Sequence, residues 1–446
     1  MRKLFVLSFI AALALPAAAQ WVETEIPLAD SSAPYALAWS RTQNRVYCTN
    51  AITNKVGAID CATNSVMTYI GVGGRPEPIA WNPVLDRVYC GNIIDSTISV
   101  IDCATNSVMT TVTVGASPHR LVFDSTHNKL FAANRYGGSV SVIDCNTNTV
   151  TATLNVGQYP YDFALAPDLD RLFVAVEGGE AVAAINTDRD SLETIIEVGP
   201  YPFALVYDPD RRKVFCACFG SNSVDVISAA QNRKTGTVGN VGSGPNALGY
   251  GRGLVYCANQ QSNNVAVIDA AQDSLQRRVT VGSRPERFLW EPGNRKMYCA
   301  VNNSDEVAVF DGELGVLLTS VTVGNSPSGM AHNQTTGRVY VAAYADDKVV
   351  VLADSAPGVQ EQPGFETQPV LRVFPQPARN RVTVESSRAE GGRISLYDCQ
   401  GRLVLVAEAA TAGRLELPLR GLVPGVYLLE LAGDPGTERT RVLVSH

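Results

Sequence analysis

The sequence predicts an all-β protein: a ring of eight four-stranded blades followed by a small C-terminal β-sandwich. Three observations predict it. One short strand recurs eight times at nearly constant spacing, the residues between its copies read as further short strands, and the strand count falls one short at one end of the repeat array while a spare strand stands at the other.

The recurrent strand is Arg45-Val46-Tyr47-Cys48, Arg87-Val88-Tyr89-Cys90 and six further copies. Its aromatic falls at 47, 89, 131, 173, 215, 256, 298 and 340, so six of the seven intervals are 42 residues and one is 41. Around it, each unit reads as four strands. Strand A follows a proline, as from Pro34 to Trp39, and strand B carries the aromatic. Strand C runs as from Ile98 to Asp102, and strand D as from Val108 to Val114 with Gly115 at its end. The strands are rich in β-branched and aromatic residues, and Gly, Asn, Asp and Pro separate them. No helical pattern of 10–15 residues lies between strands, which excludes a parallel α/β sheet.

A lone four-stranded sheet leaves both faces in water. Radial stacking buries those faces, and closing the ring removes the exposed ends of the stack. Strands A, B and C occur eight times, but strand D with its glycine occurs seven times, at Gly73, Gly115, Gly157, Gly199, Gly242, Gly282 and Gly324. The chain leaves the array after the eighth strand C, Lys348 to Leu352. The missing strand is expected to be Trp21 to Leu28, which would complete the last blade and close an eight-bladed β-propeller over residues 20–354.

The ends have other signatures. Arg2 and Lys3, an apolar run from Leu4 to Leu15 and the small residues Ala17 to Ala19 read as a signal peptide over residues 1–19, cut before Gln20. The apolar run is too short for a membrane anchor, since a spanning helix needs about 20 residues. Residues 355–369 are rich in Pro, Gly and Gln and read as a linker. From Val370 the period of 42 is lost, but alternation continues at Arg381–Glu385, Arg393–Tyr397, Leu403–Ala407, Gly425–Leu431 and Arg439–Val444, giving an antiparallel sandwich over residues 370–446. The chain is 46% hydrophobic and 18% charged with net charge −7, a balance that argues against nucleic-acid or anionic-lipid binding.

Two resemblances follow. The repeats resemble the YVTN family of β-propellers: Val46-Tyr47-Cys48-Thr49-Asn50 matches the naming motif at four positions, and the Ile-Asp, Thr-Asn-Ser-Val and Val-Gly-x-x-Pro elements fit over roughly residues 21–354. The tail resembles the C-terminal sorting domain of the type IX secretion system of Gram-negative bacteria. The residues that carry this are Phe374-Pro375-Gln376-Pro377-Ala378, Leu396 to Arg402 with Gly401 and Arg402, Leu422 to Tyr427 with Gly425 and Tyr427, and the terminal Arg441 to Val444. Gln376 departs from the usual Asn. The first resemblance implies a fold and little about function. The second implies contact with the secretion machinery and export across the outer membrane, often with removal of the tag and attachment to surface lipopolysaccharide.

Ten cysteines in an exported chain suggest disulfides, but their positions argue otherwise. Cys48, Cys90, Cys216, Cys257 and Cys299 share one repeat position and Cys61, Cys103 and Cys145 another. Equivalent positions of adjacent blades should exceed the Cα separation a disulfide allows, so buried thiols are expected. There is no CxxCH haem motif and no Cys/His zinc spacing, which weighs against an electron-transfer propeller, and no metal or other cofactor is expected. His332 shares its position with Trp39, Trp81, Phe123, Tyr207, Tyr250 and Trp290 and reads as packing. The Asp-Cys-Ala-Thr-Asn-Ser segments at Asp60 and Asp102 lack the ligand pattern of a calcium loop and read as self-capped turns. Asp354-Ser355-Ala356 in the linker is a weak O-glycan pattern, better read as chance.

No catalytic constellation can be read by spacing. Variation between blades concentrates instead beside the repeat proline, on the face shared by the D–A and B–C loops: Arg75 and Glu77; His119 and Arg120; Tyr159, Tyr161 and Asp162; Tyr201 and Phe203; Arg284, Glu286 and Arg287. Tyr and Arg combine large contact area with directed hydrogen bonds. The expected function is a non-enzymatic, secreted or surface-attached binding scaffold, monomeric, with an extracellular protein or glycan partner. The alternative is a hydrolase or lactonase with a metal in the central channel; an ordinary solvated rim is the bland reading of the same residues.

Overall fold

The computed structural model describes residues 21–353, 371–374, 381–386, 393–397, 403–408, 414–419, 422, 425–433 and 436–444. The expected signal peptide and linker, with Pro375, Pro377, Gly401 and Arg402 of the sorting motifs, lie outside them, as do Cys399 and the linker Asp-Ser-Ala.

Eight antiparallel four-stranded sheets form the blades. The A strands are Pro34–Ser40, Pro76–Asn82, Pro118–Asp124, Pro160–Ala166, Pro202–Asp208, Pro245–Gly251, Pro285–Glu291 and Pro327–Asn333, in blades 1 to 8. Each lies against the A strands of both neighbouring blades, so the A strands ring a central channel. Proline opens every one, where its missing N–H removes no ladder bond.

Closure occurs as expected. Trp21–Pro27 pairs antiparallel with Lys348–Ala353, Trp21 opposite Ala353 and Pro27 opposite Lys348, and becomes the outer strand of blade 8. Ile26 on this strand is buried among Leu28, Val46, Tyr340 and Val351. Both oxygens of the Glu23 carboxylate accept from Arg338, and the Asp347 carboxylate accepts from the N–H groups of Ser31 and Ala33 at 2.8 Å each.

The repeated motifs clasp one blade to the next. The strand-B aromatics, Tyr47 through Tyr340, are fully buried. Where the ring is tyrosine, its hydroxyl reaches the C–D turn of the following blade: Tyr47 donates to Asn106 Oδ1 at 2.8 Å, Tyr89 to Asn148 at 3.1 Å and Tyr340 to Asn64 at 2.8 Å. The basic residue two positions earlier donates to a carbonyl of the same turn, as Arg45 to Cys103 O at 2.6 Å and Arg171 to Ala229 O at 2.7 Å. The turn aspartates bond their own backbone, Asp60 accepting from Ala62 N at 2.7 Å and Asp102 from Ala104 N at 2.8 Å. The Asp-x-x-x-Asn segments are therefore turn and inter-blade fittings.

Nine cysteines among the described residues are buried and unbridged. Burial pushes the thiols of Cys48, Cys61, Cys90, Cys145, Cys216, Cys257 and Cys299 up, and that of Cys103 to about 12, and the buried cysteines pack as small apolar groups.

The C-terminal unit has a three-stranded sheet (Leu371–Phe374, Arg381–Ser386, Arg414–Pro418) and a four-stranded one (Arg393–Tyr397, Leu403–Glu408, Gly425–Gly433, Gly436–Val444). Val382, Val384 and Leu417 of one meet Ile394, Leu396, Tyr427 and Leu429 of the other, which makes a sandwich core. Leu371–Phe374 and Arg414–Pro418 were not anticipated from the alternation; the first is four residues long and the second ends in proline. Gly425 opens a strand, and Tyr427 is buried in that core.

Candidate functional site

Two backbone features recur at the start of every A strand. The residue before the proline is left-handed in all eight blades: φ is 49° at Ala33, 52° at Arg75, 61° at Ser117, 59° at Tyr159, 53° at Tyr201, 68° at Gly244, 62° at Arg284 and 56° at Ser326. Pre-proline sterics oppose that conformation, and only blade 6 relieves it with glycine. Since the conformation recurs in all eight blades, it belongs to the scaffold. The ladder also slips after each proline. Pro118 pairs with Asn134 and Arg120 with Ala133, which leaves His119 out, while Pro160 and Phe163 pair with Val176 and Val174, leaving out Tyr161 and Asp162. Such bulges free side chains from the ladder and re-aim them. The residue after the proline is left out of the ladder in every blade: Tyr35, Glu77, His119, Tyr161, Phe203, Asn246, Glu286 and Ser328.

Aromatic rings run from blade 3 to blade 5. The His119 and Tyr161 rings lie 4.9 Å apart, Tyr161 meets Phe203 edge-on at 4.9 Å, and Phe203 meets Phe219 at 5.3 Å. The Arg135 guanidinium sits 5.0 Å from the Tyr161 ring centre and is paired with Glu177 at 2.8 Å. Across the channel, Arg287 sits 4.8 Å from the centre of Tyr35, whose ring meets Tyr344 at 6.5 Å. Such cation–π contacts contribute about 0.5–2 kcal/mol, more when desolvated.

The charges are largely internally paired. Arg75 holds Glu77 at 2.6 Å, Arg120 holds Asp162 at 2.8 Å and Arg284 holds Glu286 at 2.5 Å. Asp162 also accepts from Leu205 N at 3.0 Å. The Glu77 side chain is only 5% exposed, and burial raises its carboxyl above the ordinary value against the opposing pull of Arg75, Arg287 and Arg135. His119 is held down at about 3, first by burial and then by Arg135, Arg120, Arg287 and Arg75, so it is a neutral imidazole. Its 3.9 Å approach to Glu77 is accordingly not an ion pair.

All twelve residues singled out in the sequence fall on this face, but not in one role. Glu77, His119, Tyr161, Asp162, Phe203 and Arg287 form the mouth. Tyr159 and Tyr201, 41% and 54% exposed, stand on the rim with Arg75, Arg120 and Arg284, and Glu286 serves Arg284. Sequence reading missed Tyr35, which shares its repeat position with Tyr161. It also missed Arg135, Glu177, Phe219 and Tyr344, which share the first position after strand B; comparing that position across blades would have found them.

The opposite end of the A strands carries a cleft of about 660 Å³ bordered by Leu165, Asp168, Tyr207 and Tyr250. Its hydroxyls are committed, Tyr207 to Asp168 at 2.6 Å and Tyr250 to Asp208 at 2.8 Å. On that end His332 approaches the Glu291 carboxylate at 3.4 Å, and His127 bonds Asp124 at 2.7 Å. Among the described residues no three His, Cys, Asp or Glu side chains gather as metal ligands, and no helix is long and apolar enough to cross a membrane.

Residues 121–314 match the family described as the YNCE-like beta-propeller, and residues 372–445 match the secretion system C-terminal sorting domain. The chain is an eight-bladed β-propeller that matches the YNCE-like family over residues 121–314, followed by a sorting domain. The sorting domain marks the propeller for type IX export, to the medium or the cell surface. No curated protein matches the sequence. Among solved structures, the chain is similar to Kuenenia stuttgartiensis hydrazine synthase (16% identity, TM-score 0.54, covering 73% of this chain and 96% of that one). It is also similar to the computationally designed Ika8 protein (16% identity, TM-score 0.62, covering 73% and 98%). At that identity the likeness concerns the fold alone.

Proposed function

We propose that the mature chain, beginning at Gln20 after signal-peptide removal, is an exported, monomeric binding scaffold that engages an extracellular protein or glycan through the channel mouth and its tyrosine rim. The observation that carries this is the aromatic run His119–Tyr161–Phe203–Phe219, flanked by Arg135 and by the exposed Tyr159 and Tyr201. Rigid aromatics and arginine supply contact area and directed bonds at little entropic cost. A binding role also fits the charge pairing: the carboxylates of Glu77, Asp162 and Glu286 are taken up by arginines, an arrangement poorly suited to a channel metal or a hydrolytic dyad. Removal of the tag on export, and anchoring to surface lipopolysaccharide, belong to this reading.

The test is a screen of the mature chain on glycan and peptide arrays, repeated with Tyr159, Tyr161 and Tyr201 all changed to Ala. Loss of the hits in the triple variant supports the reading. Unchanged affinity discards it.

A further inference from the structure

Building on that binding reading, we infer that the mouth is a receptor for a free C-terminal carboxylate, carried by a peptide whose last side chain is apolar. The inference starts from the charges around the mouth. Arg75, Arg120, Arg135 and Arg284 each hold a carboxylate of this chain at 2.5–2.8 Å. Arg287 has no carboxylate partner among the described residues; its contact is the face of Tyr35. Ring stacking occupies the flat face of a guanidinium and leaves its in-plane N–H fork free for a two-point bond to a carboxylate.

Arg287 is also placed to act on the whole mouth. Small residues in blade 8, Ser328 and Gly329, let it reach from blade 7 to blade 1. Its charge lowers the carboxyl of Glu77, the imidazole of His119 and the hydroxyl of Tyr161 in blades 2, 3 and 4. His119 stays neutral and adds no competing cation.

One uncommitted guanidinium suits one anionic group, so a chain end fits better than a repeating polyanion. Facing Arg287, the half-buried Tyr161 and Phe203 offer an apolar wall for a terminal side chain. On the rim, Ile52, Ile94, Tyr136, Tyr159 and Tyr201 are exposed apolar groups of the kind a polypeptide covers. Capture of a terminal carboxylate by fixed donors is a recurring mode of peptide recognition.

The mature chain is tested on an array of random pentapeptides with free carboxyl ends, an identical array with amidated ends, and an array of uronate oligosaccharides. The expected result is retention of free-acid peptides ending in Phe, Leu, Ile or Val, with the amidated twins bound roughly tenfold or more weakly. Arg287→Gln should abolish that difference, Arg287→Lys should keep part of it, and thermal unfolding should show both variants folded. Equal binding of acids and amides, binding of uronates alone, an undiminished preference in Arg287→Gln, or no retained peptide overturns the inference. If acids and amides bind alike and Tyr161→Ala removes both, the binding face survives and only the carboxylate inference fails. If Tyr161→Ala changes nothing, both fail.

Discussion

The guanidinium of Arg287 lies 4.8 Å from the ring centre of Tyr35, although blade 8 stands between their blades. Blade 8 makes this possible by carrying Ser328 and Gly329 where other blades carry larger side chains. A Cβ on Gly329 would sit 2.6 Å from the carbonyl oxygen of Tyr35 and 2.7 Å from the Cα of Ala36, both backbone atoms that cannot swing aside. Gly329→Ala is therefore expected to destabilise the propeller by about 1–3 kcal/mol, as overpacking does. A urea midpoint equal to wild type would show that the inner strands spread freely.

His119 should steepen acid denaturation. Its folded imidazole is held at about 3 against an ordinary 6.5, chiefly by burial. A base depressed in the native state contributes its full stability above the unfolded value. As pH falls from 6.5 toward 3, the unfolded chain takes up a proton that the folded one refuses. Each unit of difference is worth about 1.4 kcal/mol, so the loss is on the order of a few kcal/mol. His119→Gln should lose less stability than wild type between pH 7 and pH 4 in urea titrations. Parallel losses would contradict the assignment.

Closure by the N-terminal strand has its own expectation. Ile26 is 1% exposed within the core shared by blades 8 and 1. Ile26→Ala should cost about 2–5 kcal/mol, an unusual penalty for a residue near a chain end. In native-state hydrogen exchange, amides of Trp21–Pro27 that bond to Lys348–Ala353 should be protected like the inner strands. Rapid exchange there would mean the ring stands without its closing strand.

The sorting domain is expected to act as a detachable address. A chain ending at residue 357, the boundary between the two compact units, should fold and accumulate inside the outer membrane of a host that secretes by the type IX route. The full chain should reach the surface or the medium in the same fractionation. Export of the shortened chain would remove the role assigned to residues 372–445.

Much of the fold was legible because a propeller repeats its constraints. The aromatic at 47, 89 and onward is visible because each copy fills a blade core, and the unequal strand count revealed the closure at Trp21–Pro27. The turn segments at Asp60 and Asp102 were legible as caps, but their second use was not. That Asn64 and Asn106 receive tyrosine hydroxyls from the preceding blade requires knowing which turn faces which ring. The site was legible only as a face. Arg135 stacks on Tyr161 and Arg287 on Tyr35 across blade boundaries, and such pairings depend on blade geometry that spacing along the chain does not carry.

The most direct measurement is hydroxyl-radical footprinting of the tyrosines, with and without the best ligand from the array screen. Tyr136, Tyr159 and Tyr201 should lose reactivity on binding, while Tyr207 and Tyr250 at the opposite cleft should not change. Protection at Tyr207 and Tyr250, with the mouth tyrosines still reactive, would place binding on the wrong end of the channel and contradict the function proposed for this propeller.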